Sequence, residues 1–188
     1  MNARNSLALL PNFITLARLL AVPVAVYLLL QASYAGAFWI FIAAGVSDAL
    51  DGYLAKRLKL ESEIGAYLDP LADKALIVSI YVTLGHLGHI AVWLVILVVF
   101  RDLLIIGGAI LFHTITQSLK MDPLFVSKIN TSAQITLAGL VLGELGLGVP
   151  LGGLTEALVY LVGATTLISG GAYVVKWGWM AVMMERDK

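Results

Sequence analysis

Long apolar runs separated by short polar segments make up most of the chain. A helix of about 20 apolar residues crosses a hydrocarbon core of about 30 Å, and six such runs can be placed. The second and third runs are apolar only if several aspartates lie inside them. The pattern predicts six transmembrane helices, over roughly residues 12–30, 36–57, 64–85, 89–112, 130–148 and 152–178.

The composition favours the same class of protein. Hydrophobic residues form 60% of the 188 residues and charged residues 13%, which is more apolar than a soluble domain requires. We predict one all-α integral membrane domain over residues 1–188, because no segment has the composition of a separate soluble domain. The absence of cysteine excludes disulfides and thiolate metal sites, and a net charge of zero argues against a nucleic-acid partner.

Lysine and arginine are unequally divided between the two ends of the predicted spans. The loops near residues 31–35, 85–89 and 143–152 contain neither, whereas the opposite ends carry basic residues such as Lys56. The positive-inside rule therefore places both termini in the cytoplasm and predicts a multi-pass protein of the cell's inner (cytoplasmic) membrane. A signal peptide ending near Ala32 is the alternative for the first span, and the polar start of that span argues against it.

Four aspartates flank the charged turn between the second and third spans. Asp48 and Asp51 lie three residues apart and Asp69 and Asp73 lie four apart, so each pair shares one helix face. In a hairpin that reverses near residue 60, Asp48 falls opposite Asp73 and Asp51 opposite Asp69. Four anions at matching depths repel each other and are costly to dehydrate, so a cation must neutralise them. Carboxylate oxygens suit Mg²⁺, Mn²⁺ or Ca²⁺.

Small residues accompany these acids. Gly52, Ala55 and Gly65 lie on the same hairpin, where they leave room for a ligand or for a neighbouring helix. Small residues alone are more typical of tight helix packing in membranes. Beside four acids in register, we interpret them as space for a metal-bound pyrophosphate.

The hairpin also carries a motif. Read in order, its residues are Asp48-x2-Asp51-Gly52-x2-Ala55-Lys56-x8-Gly65-x3-Asp69-x3-Asp73. This pattern resembles the signature of the CDP-alcohol phosphotransferases, which has an arginine in the place of Lys56. Lysine keeps the positive charge but loses the bidentate fork, and the neighbouring Arg57 is the alternative.

The resemblance implies an active site on the cytoplasmic side, between the second and third helices. An acceptor hydroxyl would attack the β-phosphorus of CDP-diacylglycerol, and CMP would leave. The four aspartates would hold two ions of Mg²⁺ or Mn²⁺, and Asp73 would also be the general base. The small residues of the motif, together with Lys56 and Arg57, would contact the substrate. The family also implies a homodimer.

Other segments resemble particular branches of this family. Pro11-Asn12-x2-Thr15-x2-Arg18 is similar to the opening of several branches, and Leu68–Lys74 looks like the branch that acts on phosphatidylglycerol or glycerol phosphate. Arg101–Ile105 and Pro123–Gln134 resemble the eukaryotic-type cardiolipin synthases. The implied acceptor is therefore phosphatidylglycerol, giving cardiolipin. The alternative is glycerol 3-phosphate, giving phosphatidylglycerophosphate.

Several polar residues outside the hairpin are candidates with two interpretations each. Asn12, Thr15 and Arg18 follow one helical stripe, and would either line the nucleotide site or anchor the first helix. Arg101 lies beside Asp102 inside the fourth span, where it would contact a phosphate or form an internal ion pair. Lys128 would hold the acceptor's phosphodiester or extend its amine to the lipid headgroups.

Two other functional classes compete with a transferase. A divalent-cation transporter would use the same acids as an ion path, and a membrane scaffold would use none of them. A path for ions needs polar residues that continue to the outer face, but the outer halves of the second and third spans are mostly apolar. Four acids within the membrane also have no purpose in a scaffold. The sequence therefore favours the transferase.

Overall fold

The computed structural model describes residues 3–58, 63–116 and 124–186. Within these ranges the chain is helical and contains no strand. The six predicted helices are confirmed, although α1 begins well before residue 12 and α6 continues beyond residue 178. The helices are α1 (Ala3–Leu30), α2 (Tyr34–Leu58), α3 (Glu63–His86), α4 (Val92–Thr116), α5 (Phe125–Leu147) and α6 (Leu154–Arg186).

Length and hydropathy single out two stretches of the described helices as able to cross a membrane. They are Val92–Ile110 in α4 and Leu154–Trp179 in α6. Ile14–Leu30 and Tyr34–Ala49 are apolar but shorter. A span count of six and the single-domain organisation both stay predictions.

The turns after α1 and after α3 use the left-handed backbone conformation. Gly88 follows α3 with a φ of 80°, and the His89 and Gly88 amides donate to the carbonyls of Leu84 and Gly85. This is the Schellman arrangement, in which glycine is favoured because it has no Cβ. Ala32 after α1 makes the same turn with a φ of 55°. This conformation is sterically unfavourable for alanine because of its Cβ.

The described residues group into two compact units. The first comprises Met1–His89 and Ala138–Leu151. In it, α1 packs against both α2 and α3, which brings residues of the three helices close together. Its apolar core includes Ala25, Leu29, Leu76, Ile80, Tyr81 and Leu84.

A row of glycines lets the end of α5 approach α2 within this unit. A Cβ on Gly146 would lie 2.8 Å from the backbone of Ala35, closer than real Cβ atoms approach. One turn earlier, a Cβ on Gly143 would make ordinary contact with Phe38, at 3.5 Å. The close approach at Gly146 is the small-residue packing common between membrane helices.

The second unit comprises Ile90–Leu137 and Gly152–Lys188. In it α4 packs against α6, around a core that includes Leu94, Val98 and Val162. The Trp93 ring stacks on Tyr160 with their centroids 6.2 Å apart. This unit also contains several buried polar side chains, described below.

Candidate functional site

Arg18 of α1 joins the two helices that carry the aspartate motif. Its Nη1 atom lies 2.8 Å from Oδ1 of Asp48 in α2 and 2.6 Å from Oδ1 of Asp73 in α3. The hairpin register that places Asp48 opposite Asp73 is therefore confirmed. Because both oxygens contact one nitrogen, one cation at that position reaches both carboxylates.

The three charged groups differ in their access to solvent. The Arg18 side chain is only 2% exposed, whereas those of Asp48 and Asp73 are 47% and 37% exposed. The carboxylates therefore have open faces toward which a ligand can approach, and the arginine lies behind them. A buried guanidinium is stable in an apolar bundle when acids neutralise it, and these two supply that charge.

Arg18 also has hydrogen-bonding capacity that the described residues do not use. Its Nε and Nη2 atoms are buried, and neither has a hydrogen-bond partner within the described part of the chain. A guanidinium presents five donors in a rigid fork, and its usual ligands are carboxylates and phosphates. The geometry leaves Arg18 able to bind an additional anion.

The two described acids fit a hard divalent cation. Their oxygens converge, and carboxylate oxygen is the donor that Mg²⁺ and Mn²⁺ prefer. Two carboxylates are too few to hold two ions, and among the described side chains no cluster of three metal-binding groups occurs. The remaining predicted ligands are Asp51 in α2 and Asp69 in α3, whose side chains lie outside the described residues.

Six other residues predicted to contact the substrate lie in described helices, but their side chains are outside the described residues: Asn12, Gly52, Ala55, Lys56, Arg57 and Gly65. Thr15 is 2% exposed and shares the buried stripe with Arg18, one turn away on α1. Their roles in binding stay predictions.

Arg101 forms an internal network in the second unit. Its Nη1 donates to Oδ1 of Asp102 at 2.7 Å, and its Nε and Nη2 donate to the hydroxyl of Ser169 at 3.2 and 2.6 Å. Nη2 also contacts the hydroxyl of Ser127. The ion pair between Arg101 and Asp102, one of the two interpretations of the sequence, is present. A phosphate contact from Arg101 stays a prediction, as does the role of Lys128, which is exposed on α5.

A second buried polar group lies in the same unit. Asn130 is completely buried, and its Oδ1 accepts hydrogen bonds from the hydroxyls of Thr165 and Thr166, each at 2.9 Å. The sequence interpretation missed Ser127, Ser169 and these two threonines. The signal was available: Thr165, Thr166 and Ser169 mark one side of an otherwise apolar helix, which indicates a face packed against polar partners.

Comparison with known proteins gives a family for this geometry. The chain matches the family described as CDP-alcohol phosphatidyltransferase over residues 8–177. This range contains the whole aspartate hairpin, Arg18 and the polar residues of α4 to α6.

Individual relatives fall into two activities. The chain is 35% identical over 189 residues to the chloroplastic CDP-diacylglycerol–glycerol-3-phosphate 3-phosphatidyltransferase 1 of Oryza sativa subsp. japonica, covering 89% of this chain and 56% of the relative. It is 29% identical over 193 residues to a probable cardiolipin synthase (CMP-forming) of Drosophila melanogaster, with coverages of 92% and 58%. A probable phosphatidylglycerophosphate synthase of Mycobacterium tuberculosis is 33% identical over 186 residues, with coverages of 92% and 83%. The chain thus spans a little over half the length of the first two relatives and most of the third.

Proposed function

The chain belongs to the CDP-alcohol phosphatidyltransferase family, and from this premise we propose that it transfers a phosphatidyl group from CDP-diacylglycerol to phosphatidylglycerol, giving cardiolipin and CMP. The convergence of Asp48 and Asp73 on Arg18 is the observation that supports the proposal most directly. It brings the first and last acids of the family motif together beside a cation with unused donors, as a pyrophosphate substrate requires.

The proposed enzyme spans the inner membrane six times, with both termini in the cytoplasm. A lipid donor and a lipid acceptor both reside in the bilayer, and the basic residues lie at the cytoplasmic ends of the spans. CMP is a soluble product, so its release is simplest from a site that opens to the cytoplasm. A homodimer is part of the same proposal by analogy with the family.

The proposed reaction is one in-line displacement at phosphorus. The acceptor hydroxyl oxygen bonds to the β-phosphorus, the bond from that phosphorus to the bridging oxygen breaks, and CMP leaves with the electron pair. Asp73 accepts the hydroxyl proton, for which its partly exposed carboxylate is accessible. Arg18 neutralises charge next to the reacting groups. Two bound ions of Mg²⁺ or Mn²⁺, held by Asp48, Asp51, Asp69 and Asp73, would neutralise the pyrophosphate and acidify the acceptor hydroxyl.

Phosphatidylglycerol is the acceptor that the sequence of α4 and α5 favours, since these segments resemble cardiolipin synthases. Glycerol 3-phosphate is the second candidate, because two of the relatives described above are named for its use or for its product. Glycerol 3-phosphate is small and doubly charged, so several convergent cations would be required to hold it. In the described structure the guanidinium of Arg101 is already bonded to Asp102 and two serines, which favours the less charged acceptor.

The test is a parallel assay of the purified protein with CDP-diacylglycerol and Mg²⁺. Phosphatidylglycerol, glycerol 3-phosphate and inositol phosphate are offered separately, and lipid products and CMP are measured. We expect cardiolipin and CMP in equal amounts from phosphatidylglycerol. Phosphatidylglycerophosphate from glycerol 3-phosphate, without cardiolipin, would establish the second candidate instead.

Metal dependence is tested in the same assay. Excess chelator is expected to abolish turnover, and Mg²⁺ or Mn²⁺ to restore it, because clustered carboxylates need a hard cation to accept a pyrophosphate. Full turnover in chelator would contradict the two-ion proposal. Divalent-ion flux into vesicles without any lipid product would favour the transporter class.

A further inference from the structure

Two buried arginines, Arg18 and Arg101, each pair with aspartate, and their surroundings differ. Their side chains are 2% and 3% exposed. Arg101 donates from all three of its nitrogen atoms, to Asp102, Ser127 and Ser169. The carboxylate that it contacts is buried with it, at 4% exposed. Arg101 therefore has the full set of partners that a permanent internal ion pair requires.

The pairing of Arg18 is incomplete by comparison. One atom, Nη1, makes both ionic contacts, with Asp48 and with Asp73. The Nε and Nη2 atoms are buried and have no hydrogen-bond partner among the described residues. Buried donors without partners are unfavourable, so the position of this guanidinium is less strongly stabilised than that of Arg101.

The carboxylates that contact Arg18 are open to a competing cation. Asp48 and Asp73 are about half and a third exposed, so an ion in solution can reach their oxygens directly. Carboxylate oxygen is the ligand that hard divalent ions prefer. The Nη1 atom of Arg18 lies where the Oδ1 atoms of both acids converge, so this nitrogen and an ion that bridges the same oxygens exclude each other.

We propose that Arg18 is an internal counter-ion, which neutralises Asp48 and Asp73 in the metal-free protein and is displaced from them when a divalent ion binds. The inference rests on the proposed function, from which the metal-binding role of the two acids is taken. Arg18 itself lies outside the aspartate motif. The exchange keeps a cation between the two acids in both states, so two carboxylates never face each other without a neutralising charge. Because Arg18 competes for these oxygens, it also lowers the affinity of the site for the ion.

Manganese binding measures this competition without turnover. The full-length protein in phosphatidylcholine nanodiscs, without lipid substrates, is titrated with Mn²⁺, and the free ion is quantified by electron paramagnetic resonance. Arg18→Leu removes the competitor and should tighten Mn²⁺ binding about tenfold, whereas Arg18→Lys should stay within about twofold of the wild type.

Two controls separate competition from a general loss of positive charge. Lys74 follows Asp73 directly on α3, and Lys74→Met should tighten Mn²⁺ binding by at most about threefold, because the bridging contacts of Arg18 remain. In Arg18→Ala, added methylguanidinium should weaken Mn²⁺ binding toward the wild-type value. Tetramethylammonium at the same concentration should not, since it has no N–H group to donate to the carboxylates.

A measurement on the wild-type protein does not depend on the folding of any variant with an apolar residue at this position. With ¹⁵N-labelled arginine, Mg²⁺ should remove the chemical shift of an ion-paired guanidinium from the signals of Arg18, which are assigned by their absence in Arg18→Lys. The signals of Arg101 should not change, because its partners are not acids of the motif. Unchanged Arg18 signals in saturating Mg²⁺ would overturn the inference.

The outcomes of the titration also decide against or for the exchange. Mn²⁺ binding in Arg18→Leu that is equal to or weaker than in the wild type would overturn it, as would equal tightening in Lys74→Met. A wild-type protein that binds no Mn²⁺ would overturn it as well. None of these measurements involves transfer, so the lipid-transfer assay decides the proposed function separately.

Discussion

At the residue scale, the main feature of this protein is a single guanidinium nitrogen shared by two carboxylates from different helices. Asp48 and Asp73 have different tasks in the proposed reaction although they lie close together. Asp48 would help to hold the metal ions and the donor. Asp73 would share that task and would also accept the proton of the acceptor hydroxyl. Conservative amide substitutions at the two positions should therefore have different kinetic effects.

We expect Asp48→Asn to weaken Mg²⁺ binding and CDP-diacylglycerol binding together. Asp73→Asn should lower kcat by about 10²–10⁴-fold, the usual contribution of a general base, while more of the donor affinity is kept. Donor binding is measured by titration and turnover by CMP release. A kcat for Asp73→Asn close to that of the wild type would reject the role of Asp73 as base.

Arg18 should link the stability of the protein to its metal. In Arg18→Leu the two acids lose their buried counter-ion, so the variant should unfold at a lower temperature than the wild type without divalent ions. Adding Mg²⁺ should then raise its Tm more than that of the wild type. At a concentration of 100 Kd, a ligand that binds only the folded state stabilises it by about 2.7 kcal/mol.

Arg18→Lys is the matched control for this measurement. One Arg18 nitrogen makes both ionic contacts, so a lysine ammonium can replace it, and its Mg²⁺ response should resemble that of the wild type. An identical increase in Tm on adding Mg²⁺ in all three proteins would show that Arg18 does not neutralise the acids in place of the metal.

The sequence predicted part of this residue-level arrangement. The pairing of Asp48 with Asp73 followed from a hairpin that reverses near residue 60, because helical rise fixes which residues lie at equal depth. The contact with Arg18 did not follow, since the rotation of α1 against α2 and α3 depends on packing between all three helices. Sequence spacing identified Arg18 only as a polar residue on a stripe with Thr15.

At the element scale, glycines and one alanine determine how the helices meet. Gly146→Ala should destabilise the protein by about 1–3 kcal/mol, because the new methyl group would collide with the backbone of Ala35, which cannot move aside as a side chain can. Gly143→Ala is the control, since its Cβ would make ordinary contact with Phe38. Thermal unfolding in detergent compares the two variants. Equal Tm values would contradict the close approach of α5 and α2.

The turn after α1 offers a change in the opposite direction. Ala32 has a φ of 55°, which glycine adopts without the steric cost of a Cβ. Ala32→Gly should therefore raise stability by about 0.5–1 kcal/mol, after allowance for the greater freedom of glycine in the unfolded chain. Ala164→Gly inside α6 should lower stability by about 1 kcal/mol. A decrease for both variants would show that the left-handed turn does not form.

The helices themselves were easy to predict, and their ends were not. Six long apolar runs exclude strands, so the class and the helix count followed directly. The predicted first span covered only the apolar part of α1, because a hydropathy pattern detects apolar residues, whereas the helix itself begins at Ala3 among polar residues such as Asn5 and Ser6. The polar partners of Arg101 were missed because Ser169 lies far away in sequence and isolated serines in apolar helices have no distinctive spacing.

At the scale of the whole molecule, orientation in the membrane can be measured directly because the chain contains no cysteine. Gln31→Cys lies in the exposed turn after α1, and Asp187→Cys lies near the C-terminus. In intact cells, a membrane-impermeant maleimide should label Gln31→Cys, and Asp187→Cys should react only after permeabilisation. The wild-type protein supplies the unlabelled control. The reverse labelling pattern would place the aspartates on the outer side.

The burial of Arg18 also has a consequence for biogenesis. In the proposed arrangement of six spans, Arg18 lies within a membrane helix, and an arginine there costs up to about 3 kcal/mol on insertion scales. In that arrangement α1 leaves the ribosome before the acids that neutralise this charge. Asp48 follows about 30 residues later and Asp73 about 55 later, at spacings given by their sequence positions. We expect the insertion machinery to retain α1 until α2 and α3 arrive. The first three helices would then enter the lipid as one assembled unit.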